Sequence, residues 1–160
     1  MIFYRSLYNP SGSARSAASV RTLGLLGLTL YPAGALLRQF GPDSALVQVG
    51  GLLLILAALG CAALIAGTRL SRITAEEKGQ LDEYEERLRA FTMERSYAFL
   101  VALLLVAVIY MALASDFGWW VPSGYDQWNG VFWGAFLFAT LVPPTVLAFR
   151  LVREEQEEEQ

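Results

Sequence analysis

The sequence predicts an all-α integral membrane protein, a four-helix bundle whose third span extends into the cytoplasm as an amphipathic helix. Three observations carry this reading. The 160 residues are 55% hydrophobic and only 17% charged, against about 25% charged residues in an average soluble domain. The apolar residues gather in long uncharged runs, each near the roughly 20 residues that span a hydrocarbon core of about 30 Å. Lysine and arginine are confined largely to alternate connections between those runs, the bias that sets orientation in a bilayer. Four spans take up about half of the chain. A single transmembrane domain over residues 1–160 is therefore expected, with no separate globular unit.

The first span is placed at about 20–38. Only Thr22 to Leu37 is uncharged, between Arg21 and Arg38, and such a stretch reaches about 24 Å, short of the core thickness. Both arginines can lay their stems along apolar surface and extend the span, because the charged heads reach the headgroups. An interfacial or re-entrant helix is the alternative for this segment. The second span, about 45–68, is the strongest, with Gln48 the one strongly polar side chain between Ala45 and Gly67. The third, 97–115, reads YAFLVALLLVAVIYMALAS; the fourth, about 128–150, opens WNGVFWGAFLFATLVPPTVLAF. Small residues at helical spacing (Ala58, Ala62 and Ala66; Gly24 and Gly27; Gly130 and Gly134) predict close backbone approach between spans.

Proline marks where spans should bend. Pro32 interrupts the first, and Pro143-Pro144 interrupts the fourth, leaving the carbonyls of Ala139 and Thr140 without intrahelical donors. The hydroxyls of Thr140 or Thr145, or a neighbouring helix, are expected to compensate. A hinge or a groove for an apolar or amphipathic ligand is expected around Pro32, Tyr110, Thr140, Pro143 and Pro144.

With four spans, eleven of the 12 basic residues fall on one side, and Arg38 alone lies on the other. Both termini and the 69–96 connection should then be cytoplasmic, in a bacterial inner membrane. Eleven Arg against one Lys suits a bacterial source of high GC content. Trp119, Trp120, Trp128 and Trp133 lie in or beside the opposite connection, where amphipathic rings favour the headgroup level. The acidic tail 153–160 reads as a solvated end, and the MIFYR start as a short interfacial anchor followed by an Asn9-Pro10 turn.

Within 69–96, Thr74-Ala-Glu-Glu77 fits a capping box. Glu83 with Arg87, and Glu85 with Arg89, stand at i,i+4 in the favourable order. No Pro or Gly lies between Gln80 and Ser115, so one helix of about 40 residues is expected from Thr74 through the third span, with Gly79 its weak point. Leu81, Tyr84, Leu88 and Phe91 make one apolar stripe at spacings of 3, 4 and 3. Such a stripe must be buried against something. Its occupants are the protein's own chain, a second copy, or a docked cytosolic or membrane partner.

Chemistry is sparse. The chain has no His and one Cys, which removes most zinc, haem and histidine-based schemes. No ionisable group sits in the middle of a span, and such groups are what proton-coupled carriers use. Asp116 and Asp126 share one connection, a weak pattern for a divalent cation. No catalytic residue, metal set or cofactor is predicted, and no direct contact with nucleic acid. The expectation is a non-enzymatic accessory or regulatory membrane protein acting through its cytoplasmic helix. The alternative is a binding or transport protein for an apolar or amphipathic molecule held between the helices.

The run LDEYEERLR (Leu81–Arg89), the following ERSYAFL and the late LVPPTVLAF resemble a set of uncharacterised small bacterial four-helix membrane proteins, over about residues 78–150. In that set a short acidic-basic helix leads directly into a span, and the last span closes on a Pro-containing segment. The resemblance implies a membrane-bound regulatory or accessory role, sometimes paired with cytosolic DNA-binding regulators. It carries over no catalytic residue.

Overall fold

The structure, a computed structural model, describes residues 16–75 and 82–158. Five helices follow in order: α1 (Ala17–Phe40), α2 (Ala45–Ala66), α3 (Arg69–Ala75), α4 (Glu83–Phe117) and α5 (Tyr125–Glu158). All but α3 are long and apolar enough to cross a membrane by length and composition. The molecule has an arginine-rich end, where α1 and α4 begin and α5 finishes, and a tryptophan-rich end between α4 and α5.

The first span is longer than its uncharged stretch. Ser16 caps α1 by accepting from the Ser19 N–H, and the Gly41 N–H closes it on the Leu37 carbonyl. The resulting 24 residues reach about 36 Å. Arg21 and Arg38 therefore lie inside the helix. Helix α1 runs through Pro32 to a short turn, and Ser44 then caps α2 by accepting from the Val47 N–H. The α1–α2 hairpin is close: a Cβ on Gly34 would stand 2.6 Å from the Gly51 carbonyl oxygen.

Helix α5 is the centre of the packing. Its Leu137, Leu141, Leu147, Ala148, Leu151 and Val152 are buried in one core with side chains from every other helix. The Tyr31 hydroxyl of α1 donates to the Gly130 carbonyl at 2.6 Å. A Cβ on Gly24 would overlap Thr145 of α5. Half of the apolar window of α5 is buried, against 28% for α1, 22% for α2 and 6% for α4. Helix α4 joins the core at its base, through Leu88, and its residues from Tyr97 to Leu113 are exposed or half-exposed.

Local sequence rules need correction at three places. Thr74 does not start the long helix. It ends α3, donating to the Ser71 carbonyl at 2.7 Å, and α4 begins instead at Asp82, whose carboxylate accepts from the Glu85 N–H at 2.7 Å. Helix α4 thus has 35 residues, and Glu77 and Gly79 lie outside the described residues. Glu83 pairs with Arg87 as expected, but Glu85 bonds Arg69 of α3 in place of Arg89. Glu85 is buried, and its partner comes from the neighbouring helix. Finally, α5 continues through Pro143 and Pro144. The Thr140 hydroxyl bonds the Phe136 and Leu137 carbonyls and the Thr145 hydroxyl bonds that of Leu141, so neither serves the carbonyls of Ala139 and Thr140.

Candidate functional site

Among the described residues, the hydrogen bonds that join side chains of two different helices lie at the arginine-rich end. Helix α3 packs there through Leu70 and Ile73, and its Arg69 guanidinium donates to the Glu85 carboxylate of α4. Glu85 is 6% exposed, and a carboxylate so enclosed is held there only with a charged or hydrogen-bonded partner. From the residue just before it, the Tyr84 hydroxyl donates to Glu154 of α5 at 3.0 Å. The other oxygen of Glu154 accepts from Arg150 Nε at 2.8 Å. One ionic strut and one three-residue chain therefore tie α3, the base of α4 and the end of α5 together.

Beside this tie lies an open cleft of about 710 Å³ between the ends of α1, α4 and α5. Its chemistry comes from Arg21, Arg95, Arg150 and Arg153, set around Phe91 and Phe149. The Arg150 guanidinium stands 4.3 Å from the Phe91 ring centre and that of Arg95 5.3 Å from it. Arg21 stands 5.4 Å from the Phe149 ring centre. Cations at these distances are attracted by the ring faces, which offsets part of the repulsion among the guanidiniums. Arg150 and Arg153 each bond the glutamate one turn later, Glu154 and Glu157. Arg21 and Arg95 meet a ring and, among the described residues, no carboxylate.

The apolar stripe is only partly available. Leu88 is 1% exposed within the core, and Tyr84 packs against that core half-buried. Phe91 is half-buried at the cleft, and Leu81 lies outside the described residues. The chain's own α5 thus covers the described part of the stripe, and the face of α4 left open carries Glu86, Ala90 and Met93.

Of the residues expected around a proline groove, Thr140, Pro143 and Pro144 lie together on α5, Pro32 lies on α1 and Tyr110 lies on α4. The exposed Tyr110 belongs to the tryptophan-rich end, where its hydroxyl donates to the Trp120 carbonyl at 2.7 Å and its ring stacks on Trp119. Pro144 is fully buried beside Thr145, which meets Gly24 toward the other end of α1. Pro32 and Pro143 are half-buried and Thr140 is exposed on α5. Asp116 and Asp126 are exposed. No group of three or more His, Cys, Asp or Glu suited to a metal occurs among the described residues.

In the sequence, Arg21 marks a span boundary and Arg95, Arg150 and Arg153 read as orientation signals, and neither reading gives Phe149 a role. The available signal was the recurrence of Arg beside Phe or one helical turn from it, in Phe91–Arg95 and Phe149-Arg150. What it lacked was the approach of α4 to α5. No protein-family model matches the chain, and no curated protein or solved structure is significantly similar to it.

Proposed function

We propose that the chain is a non-enzymatic, four-span protein of a bacterial inner membrane that acts as an accessory or regulatory subunit through a cytoplasmic layer. In this reading α1, α2, α4 and α5 cross the bilayer, both termini are cytoplasmic, and the base of α4 projects below the membrane. The lengths support it: α4 has 35 residues, well beyond the roughly 20 that a bilayer core requires. The observation that carries the functional part is the tie of α3, α4 and α5 by Arg69–Glu85 and Tyr84–Glu154–Arg150. A layer fixed this way presents a rigid polar surface, which a recognition role needs. Because Leu88 is used internally, the partner reads the opposite face of α4, around Glu86, Ala90 and Met93.

Photo-crosslinking in intact cells tests this. A crosslinking side chain at Glu86, Ala90 or Met93 is expected to trap one recurring protein adduct, absent when the probe stands at Leu104. The reading is overturned if the base positions yield no adduct, the same adduct as Leu104, or only a covalent dimer of the chain. A second reading, binding of an amphipathic molecule, is supported by the cleft of arginines and phenylalanines; the site lies at the arginine-rich end and not at the proline segment.

A further inference from the structure

We infer that the cleft between the ends of α1, α4 and α5 is a binding site for a phosphate-bearing anion, with Arg21 and Arg95 as its principal ligands. The inference rests on the second reading above and names the ligand chemistry of that site. The cleft presents four guanidiniums from three helices against two carboxylates, Glu154 and Glu157. Both carboxylates are engaged by the arginines one turn before them. Among the described residues, Arg21 and Arg95 meet aromatic rings and no carboxylate. A ring face attracts a cation but leaves most of its five N–H donors unused. Planar guanidiniums with unused donors suit a phosphate, whose several oxygens accept from more than one arginine at once.

The apolar part of the cleft argues in the same direction. Val146, Phe149 and Val152 line it alongside the arginines, and the volume of about 710 Å³ lies within the range of small-ligand sites. Above it, α4 offers an apolar flank whose residues from Tyr97 to Leu113 are exposed or half-exposed. A phosphate seated among the arginines could therefore carry an acyl chain along α4, as basic pockets between spans do for anionic headgroups. The same chemistry arises from two sources, the headgroup of an anionic phospholipid or a soluble organic phosphate.

The test uses the purified full chain in a non-ionic detergent, with bound lipid read by native mass spectrometry. Phosphatidylglycerol and phosphatidylcholine are offered in equal amounts, with and without millimolar glycerol phosphate. Preferential retention of phosphatidylglycerol, undisturbed by glycerol phosphate, identifies a lipid headgroup. Adduction of glycerol phosphate itself, displacing the lipid, identifies a soluble phosphate. In either case Arg21→Gln/Arg95→Gln is expected to weaken binding by about tenfold or more, since each lost charge-assisted bond is worth roughly that factor. Arg87→Gln, outside the cleft on an exposed pair, should leave binding unchanged. Should the double variant misfold, the exposed Arg153→Gln replaces it, with a smaller loss expected. Equal retention of both lipids with no phosphate adduct, or a folded arginine variant that binds as the wild type, overturns the inference. Labelling of a cysteine at Glu86 from outside intact cells would instead overturn the membrane orientation, and would leave binding in detergent as it was.

Discussion

Helices α4 and α5 have nearly the same length, 35 and 34 residues, and opposite roles. Half of the apolar window of α5 is buried, and 6% of that of α4. Hydropathy does not explain the difference. Composition does: α5 offers Gly134 beneath the Tyr31 ring and Thr145 against Gly24, so backbones approach and side chains interlock. From Tyr97 to Ser115, α4 carries Leu, Val and Ile together with five alanines, but no glycine. In a bilayer, whose tails are as apolar as leucine, such a surface would gain nothing by leaving them, whereas small residues would gain close van der Waals contact. A helix apolar enough to cross a membrane can thus be weakly packed against its own molecule. Helix α4 belongs to the molecule chiefly through its polar base.

The widest separation should appear between matched leucines. Leu147 of α5 is fully buried, and Leu104 of α4 is 63% exposed. Leu147→Ala is expected to cost about 2–5 kcal/mol, the range for a cavity in a packed core. Leu104→Ala should stay within about 0.5 kcal/mol. Leu88, in the same core at the base of α4, should behave like Leu147 and divide α4 into a packed foot and an unpacked shaft. Reversible unfolding in mixed micelles measures all three. Equal losses at Leu147 and Leu104 would break the contrast.

A smaller effect separates glycines that are contacts from glycines that are not. A Cβ on Gly24 would meet Thr145, whereas one on Gly60 would meet nothing within 4 Å. Thr145 is buried and its hydroxyl is bonded to the Leu141 carbonyl at 2.6 Å, so it cannot rotate aside without losing that bond. Gly24→Ala is expected to destabilise by about 1–3 kcal/mol. Gly60→Ala should be neutral or slightly stabilising, since alanine is the better helix former. The same titration, run on both variants, decides whether α1 seats on α5 through this contact.

The contrast also marks what could be read from the sequence. Uncharged runs locate the four long helices because length and apolarity are local properties. Helix α1 is the least legible of the four, since its extent depends on the Ser16 cap and on arginines within the helix. The spacing of Tyr84, Leu88 and Phe91 reveals a stripe and is silent on its occupant, which here is α5, some 60 residues further along the chain. Arg21 and Arg153 enter one cleft from opposite ends of the sequence, and no local pattern records that meeting. The i,i+4 rule offers Arg89 to Glu85, and the fold supplies Arg69. Local rules name the candidates, and packing selects among them.

The foot of α4 holds the finest version of the contrast, in two glutamates two residues apart. Glu83 pairs with Arg87 with both side chains largely in solvent, at 83% and 77% exposed. Glu85 pairs with Arg69 across helices, at 9% and 26%. Exposed i,i+4 pairs contribute about 0.3–0.5 kcal/mol. A hydrogen bond to an enclosed charged group contributes about 1.5–3 kcal/mol, lowered here because Arg69 retains contact with solvent. Glu85→Gln should therefore destabilise by about 1–2 kcal/mol and Glu83→Gln by less than about 0.5 kcal/mol. Single variants do not isolate a pair, because removing one partner also leaves the other desolvated. The double-mutant cycle does. Coupling near 1 kcal/mol for Glu85 with Arg69, and near zero for Glu83 with Arg87, is the expected result. Equal couplings would mean that the ionic strut from α3 adds no more than an exposed pair, leaving the foot of α4 to its apolar contacts and the Tyr84–Glu154 bond.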